Sequence, residues 1–244
     1  MKRFGADLHI HTALSPCAAE EMTPPAIVRE ALAKGLDMIG ICDHNTAGNV
    51  AAVCTAARDK IAVLPGMEIM TVEEVHVVAL FPDAEAACRA GDEVRETLPL
   101  ATRKAKREAP QRLMDAEGHV IGLESRLLST ASRLTLSEAV DLIRRHGGVA
   151  VAAHADRPSF SVVSQLGAFP EDIRFDAVEI SAAGFRAGRH AAFASLGLPM
   201  LVSSDSHSLE EVGCCPTVFE MHAPSFQELT LAFQGVDGRR CRLA

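Results

Sequence analysis

The stretch ADLHIHTALSPC, residues Ala6–Cys17, sets two imidazoles two positions apart in an apolar run. Residues i and i+2 of a strand point to one face, so His9 and His11 leave a strand Ala6–His11 side by side. Apolar runs of similar length recur at Met38–Cys42, Ile61–Pro65, Val75–Phe81, His119–Leu123, Val149–Ala153, Ala177–Ile180, Met200–Ser203 and Val218–His222. Helical patterns separate many of them. Thr23 with Pro24 opens one helix, and Gly35 closes it. Thr135-Leu-Ser-Glu138 is a capping box for a helix that ends before Gly147. Ser225 and Glu228 open another, which Gly235 closes. Alternation of apolar strands with helices predicts an α/β fold, a parallel sheet with helices outside. The number of units favours a barrel over an open sheet.

The 244 residues are 48% hydrophobic and 23% charged, enough for a sizeable core in one domain spanning residues 1–244. The net charge of −8 shows no basic face at the level of the whole chain, which argues against tight binding of long polyanions. Seven cysteines, odd in number, irregularly spaced and without CxxC, read as reduced thiols in a cytoplasmic protein. No apolar run approaches the roughly 20 residues of a membrane span. Around residues 84–117 the composition changes, most sharply in Glu93–Glu117, rich in charge and alanine, which reads as a helical insertion. Its cluster Arg103, Lys104, Lys106 and Arg107 is either a solvated helix face or a lid that steers anions.

Titratable residues collect in or after the apolar runs: His9 and His11; Asp43 and His44 in IGICDHN; Glu68 in VLPGMEI; His76 in EVHVVAL; His154 and Asp156 in VAVAAHADRP; Asp205 and His207 in MLVSSDSH. In a parallel barrel, functional residues gather at the C-terminal strand ends, so six strands aim imidazoles and carboxylates at one rim. Such donors suit Zn, Mn or Fe. Without a cation, each unpaired buried group would cost roughly 1–3 kcal/mol. His9, His11, His44, Glu68, His76, His154, Asp205 and His207 exceed what one ion uses and imply at least two ions, with Glu68 bridging. Glu68 follows what reads as a Pro-Gly turn, and Asp43 reads as facing solvent while His44 points inward. His76, which precedes its apolar run rather than closing it, is as readily a core histidine. His119, His146, His190 and His222 fit no cluster, and Cys214-Cys215 would point apart in a strand. Arg157 is a candidate phosphate clamp or else an ion-pair partner of Asp156 or Glu179; Arg126 is a weaker candidate.

These motifs in this order, DLHIHTALSPC, CDHN, GMEI, EVHVVAL, AHADRP and SSDSH, resemble those of the PHP (polymerase and histidinol phosphatase) superfamily over residues 6 to 210. The resemblance implies a distorted (β/α)7 TIM-like barrel, two or three divalent ions and hydrolysis of phosphomonoesters or phosphodiesters. It implies a first ion on His9, His11, Glu68 and Asp205, a second on Glu68, His76 and His154, and a third on His44 and His207. In several members the third ion has a further His or Asp five or six positions after the HxH motif. Here Pro16 and Cys17 stand there, and a Cys17 thiolate would favour zinc. The main expectation is a phosphoesterase that uses a metal-bridged hydroxide on a small phosphomonoester or phosphodiester, a nucleotide or a sugar or amino-alcohol phosphate, with no strong sign of nucleic-acid binding. Arg157 would clamp the phosphate, and His44 or His207 would protonate the leaving oxygen if the third ion is absent. The alternative is an exonuclease-like hydrolase of oligonucleotide ends. A non-catalytic metal-binding domain and a ring amidohydrolase are further readings. The second lacks a lysine at a strand end.

Overall fold

The apolar runs become strands, and in the barrel their alternate residues divide two cores. The computed structural model describes residues 1–243 apart from the Lys106 side chain, so the part of the basic cluster that rests on Lys106 lies outside the described residues. The strands are β1 (Lys2–Ile10), β2 (Met38–Ile41), β3 (Ala62–Met70), β4 (His76–Leu80), β5 (Arg112–Met114), β6 (Val120–Leu123), β7 (Val149–Ala152), β8 (Ala177–Ser181), β9 (Met200–Ser203), β10 (Thr217–Met221) and β11 (Arg240–Leu243). The helices are α1 (Pro24–Ala33), α2 (Val50–Ala57), α3 (Ala84–Thr97), α4 (Arg103–Glu108), α5 (Leu136–Arg145), α6 (Val162–Leu166), α7 (Ala182–Arg186) and α8 (Phe226–Phe233). Pro24 starts α1, and Thr135 with Glu138 forms a complete capping box on α5. Such caps contribute about 0.5–2 kcal/mol each.

The main sheet runs β11-β10-β1-β2-β3-β4-β7-β8-β9. A parallel bridge between Ile10 and Ser206 brings the end of β9 back to β1, so seven strands form a nearly closed, distorted TIM-like barrel. β10 pairs antiparallel with Lys2–Ala6 of β1, and β11 with β10, filling the gap below that bridge. Leu8, Met38, Leu64, Val78, Val151 and Leu201 fill the interior, with Phe219 and Met221 beneath them. The opposite faces carry Ile39, Ile41, Met67, Ile69, Val77 and Val178, packed under the helices. Burying each such side chain contributes about 1.5–3 kcal/mol.

Two strands depart from the sequence reading in ways that shape the rim. β4 is antiparallel to both β3 and β7, so its first residue, His76, lies at the same rim as the C-terminal ends of its parallel neighbours. Pro65 and Gly66 do not turn the chain. β3 runs through them, and this carries Glu68 inward above Leu64. Gly66 is required there because a Cβ would lie 2.6 Å from the Ala79 carbonyl oxygen of β4. The run at His119–Leu123 is not a barrel strand: β6 pairs only with β5 in a separate hairpin whose Val120, Ile121 and Leu123 are exposed. The expected insertion is helical through α3 and α4 and continues into this hairpin. α3 buries Ala86, Ala87, Ala90 and Val94 in the outer core. Among the described residues no helix is long and apolar enough to cross a membrane.

Candidate metal centre

The barrel pattern explains why imidazoles meet over the interior. Ala6 and Leu8 face inward, but Ile10 belongs to the outer core, and the register with β2 slips between Asp7 and Ile10. A bulge changes the phase of alternation, and with it His9 and His11 turn over the barrel mouth. Gly40 of β2 accommodates it, since a Cβ there would overlap the Leu8 carbonyl. Glu68, Glu179 and Asp205 continue the inward phase of Leu64, Ala177 and Leu201. His154 follows the inward Ala153 and would turn away, but its backbone has φ 27°, and Asp205 has φ 51°. Left-handed backbone at non-glycine residues costs about 1–3 kcal/mol and concentrates at functional sites.

Glu68 stands at the centre. Its Oε1 lies 2.8 Å from His76 Nδ1, 3.1 Å from His154 Nε2 and 3.4 Å from His9 Nε2. Its Oε2 lies 2.8 Å from His44 Nδ1 and 3.7 Å from His11 Nε2. Asp205 Oδ1 approaches His11 Nε2 at 3.0 Å and His9 Nε2 at 3.4 Å. His207 sits beside them, its ring 4.2 Å from that of His11 and its Nδ1 2.9 Å from the Asp205 carbonyl oxygen. All eight sequence-derived donors are thus brought together. The ligand atoms of seven converge in three overlapping groups: His9, His11, Glu68 and Asp205; His44, Glu68 and His76; and His11, His44 and His207; His154 joins them through Glu68 Oε1.

The arrangement is poorly satisfied as a hydrogen-bond network. His9 Nε2 and His11 Nε2 face each other at 3.2 Å. His154 Nδ1 is buried without a hydrogen-bond partner, and Glu68 Oε2, though 2.8 Å from His44 Nδ1, makes no aligned hydrogen bond. Several nitrogen lone pairs and carboxylate oxygens aimed at common points are what divalent cations of the Zn, Mn and Fe class accept. The charges are strongly coupled. Burial disfavours ionised Glu68, but His76, His9 and His44 hold its carboxyl well below the usual range. Burial lowers His9, yet Glu179, Asp205 and Glu68 raise it well above the ordinary value. His11 is lowered by burial and by His44 and His207.

A supporting layer surrounds these donors, and most of it escaped the sequence reading. Glu179, 1% exposed, contacts His9 Nδ1 at 3.1 Å and accepts from the His154 backbone N–H at 3.1 Å. It fixes which nitrogen His9 turns inward. Asp43 does not face solvent. It is fully buried and accepts from Thr12 N, Thr12 Oγ1 and Ser15 Oγ at 2.6–2.7 Å, while Ser15 Oγ also meets His11 Nδ1 at 2.9 Å. The acidic residue inside the apolar run AVEIS was the available signal for Glu179; nothing local marks Phe160, whose ring stacks on His76 at 4.9 Å with a left-handed backbone. Arg157 pairs with neither Asp156 nor Glu179; its Nη1 lies 2.5 Å from Asp205 Oδ2. Arg126 stays outside, bonded to the Leu98 carbonyl and Glu96. Cys17 Sγ lies 3.2 Å from His44 Nε2. Burial raises its thiol, but His207 and His44 outweigh that and bring it to about 6. His119, His146 and His222 lie away from the cluster; the first two pair with Asp115 and Glu93.

Comparison with known proteins adds to this geometry. The family described as the PHP domain matches residues 7–138, and a PHP-associated family matches residues 187–234. The 5'-3' exoribonuclease Rnm of Escherichia coli (strain K12) is 26% identical over 224 residues, covering 72% of this chain and 74% of the relative. The lesion-specific endonuclease PfuEndoQ of Pyrococcus furiosus superposes with a TM-score of 0.75 at 22% identity. That match covers 98% of this chain, which spans 58% of the endonuclease's length. Endonuclease Q has the same TM-score, at 21% identity and the same coverage, in a complex with a 27-mer duplex carrying an abasic lesion. These relatives correct the expectation of a small phosphorylated substrate and no strong sign of nucleic-acid binding. They process nucleic acids. The physical reason is that a net charge of −8 is an average over the whole chain. Binding of a polyanion depends on local cations at the site.

Proposed function

The chain belongs to the PHP domain family of metal-dependent hydrolases, and from that membership we propose that it hydrolyses phosphodiester bonds at the ends of nucleic-acid strands. The observation that carries this reading is Glu68, one buried carboxylate within 3.7 Å of five imidazoles. So many donors around one carboxylate suit a polynuclear centre. One ion would rest on His9, His11, Glu68 and Asp205. A second would rest on Glu68, His76 and His154, with His44 at its edge. A third would take His44 and His207 with Cys17 as thiolate, which favours zinc, since His11 Nδ1 is engaged by Ser15 and its Nε2 serves the first ion. When bound, such cations activate water near neutral pH and neutralise charge on the phosphoryl group.

The chain's own groups supply the rest. Arg157 gives one N–H to Asp205, and its partly exposed side chain leaves the other N–H groups to clamp a phosphate. His44 and His207 line the mouth and are the groups positioned to pass a proton to a leaving oxygen if the third ion is absent. Phe160 shields His76 from water. Beside the mouth, the alanine side of α4, Ala105 and Ala109, shares a small cavity with Pro16, and Arg103, Lys104 and Arg107 are exposed. A strand entering the site would pass these cations. The nucleic-acid relatives support a polymer substrate over a small one.

The test uses oligonucleotides labelled at one end, with either end blocked in turn, and protein loaded with manganese or zinc. We expect release of mononucleotides from one end, stopped by a chelator and by Asp205→Asn. Metal-loaded protein that leaves every strand intact would overturn the reading.

A further inference from the structure

A cavity of about 360 Å³ opens beside the metal centre, sharing Arg157 with it. Its walls are apolar, made by Pro158, Val163, Ala192 and Phe193, and two arginines stand at its edge. Each arginine is held by a buried carboxylate. Arg157 bonds to Asp205, 7% exposed, and Arg189 to Asp156, 1% exposed, at 2.9–3.0 Å. Asp156 is fixed in turn by the Ser181 backbone N–H and hydroxyl at 2.6 and 2.8 Å, and a side chain at Gly184 would collide with it. Both arginine side chains remain partly accessible, 37% and 48%. Buried carboxylates that hold two exposed arginines at the edge of an apolar hollow are more than surface ion pairs need.

We propose that this cavity takes the base of one nucleotide of the substrate strand, with an adjoining phosphate held between Arg157 and Arg189. The inference rests on the nucleic-acid reading above and names where that substrate is gripped. The volume lies within the range of small-ligand pockets, about 300–1,000 Å³. An apolar hollow with Phe193 and Pro158 in its lining suits base stacking, which tolerates any base. A sugar would need free acceptors, and the one carboxylate in the lining, Asp156, is already taken by Ser181 and Arg189.

The test titrates the purified protein with two fluorescent, hydrolysis-resistant single strands of equal length and charge, one with bases and one fully abasic. The wild type should bind the base-bearing strand roughly ten- to hundredfold more tightly. Phe193→Ala should remove that preference while binding the abasic strand as the wild type does. Ala192→Leu, at an exposed position, should do the same by filling the cavity, and it carries the test if Phe193→Ala fails to fold. Equal wild-type affinity for both strands, or variants that keep the preference, would overturn the pocket while leaving the hydrolase reading in place. Failure to bind either strand would overturn the nucleic-acid reading and the pocket with it.

Discussion

At the scale of single residues, chemistry and support are divided between neighbours. His9 could not hold its orientation without Glu179 behind it. Glu179→Ala should therefore leave the barrel folded but weaken metal binding roughly 10–100-fold, read by competition with a chromophoric chelator. Unchanged affinity would reduce Glu179 to a packing residue. Cys17 makes a separate prediction. Cobalt substituted into the protein should show a thiolate-to-metal charge-transfer band in the near ultraviolet, and Cys17→Ser should remove it. A band that survives the substitution would exclude Cys17 as a ligand. The donors themselves were legible because histidines in apolar strands are conspicuous. Asp43 was not, because a period of two cannot say that a loop residue folds back onto Thr12 and Ser15.

At the scale of elements, direction and register decide which residues reach the rim. His76 read ambiguously because its apolar run follows it. An antiparallel β4 resolves this, since the first residue of a reversed strand lies beside the last residues of its neighbours. Sequence periodicity carries no information on strand direction, and the Pro65-Gly66 pair reads as a turn although it lies within β3, where Gly66 closely approaches β4. Gly66→Ala tests this: it should cost about 1–3 kcal/mol through the clash with Ala79. That lowers the melting temperature by roughly 2–10 °C. No change would mean that β3 and β4 are not so closely apposed. Farther away, Arg239 ties β11 to α8 through Glu228, whose carboxyl is held at about 2 by that guanidinium and the His222 N–H. A depressed carboxylate stabilises above its ordinary value and loses its effect as pH falls. The melting-temperature difference between wild type and Glu228→Gln should be constant above about 4.5 and shrink toward pH 2. A difference independent of pH would contradict the pairing.

At the scale of the whole molecule, the path proposed for a polyanion is local, on a chain whose net charge is −8. The alternation of runs pointed to a barrel, and the family resemblance carried by the motif order implied seven units. The path was hidden, because Arg157 and Arg189 lie 32 residues apart in sequence and meet only at one cavity, and because the basic α4 says nothing of its place near Pro16 until folded. Binding of a single strand should weaken steeply with salt, and replacing Arg103 and Arg107 together by alanine should reduce the slope of log K against log salt by about 1–2. An unchanged slope would place the strand elsewhere.

In the reading proposed above, Glu68 organises a polynuclear metal centre at the barrel rim. Elemental analysis of wild type and Glu68→Ala tests it most directly, with concentrations from amino-acid analysis because the chain has no Trp or Tyr. The wild type should hold two or three divalent ions per chain, and the folded variant at most one. Equal metal content in the two proteins, or no metal in the wild type after loading with zinc or manganese, would contradict it.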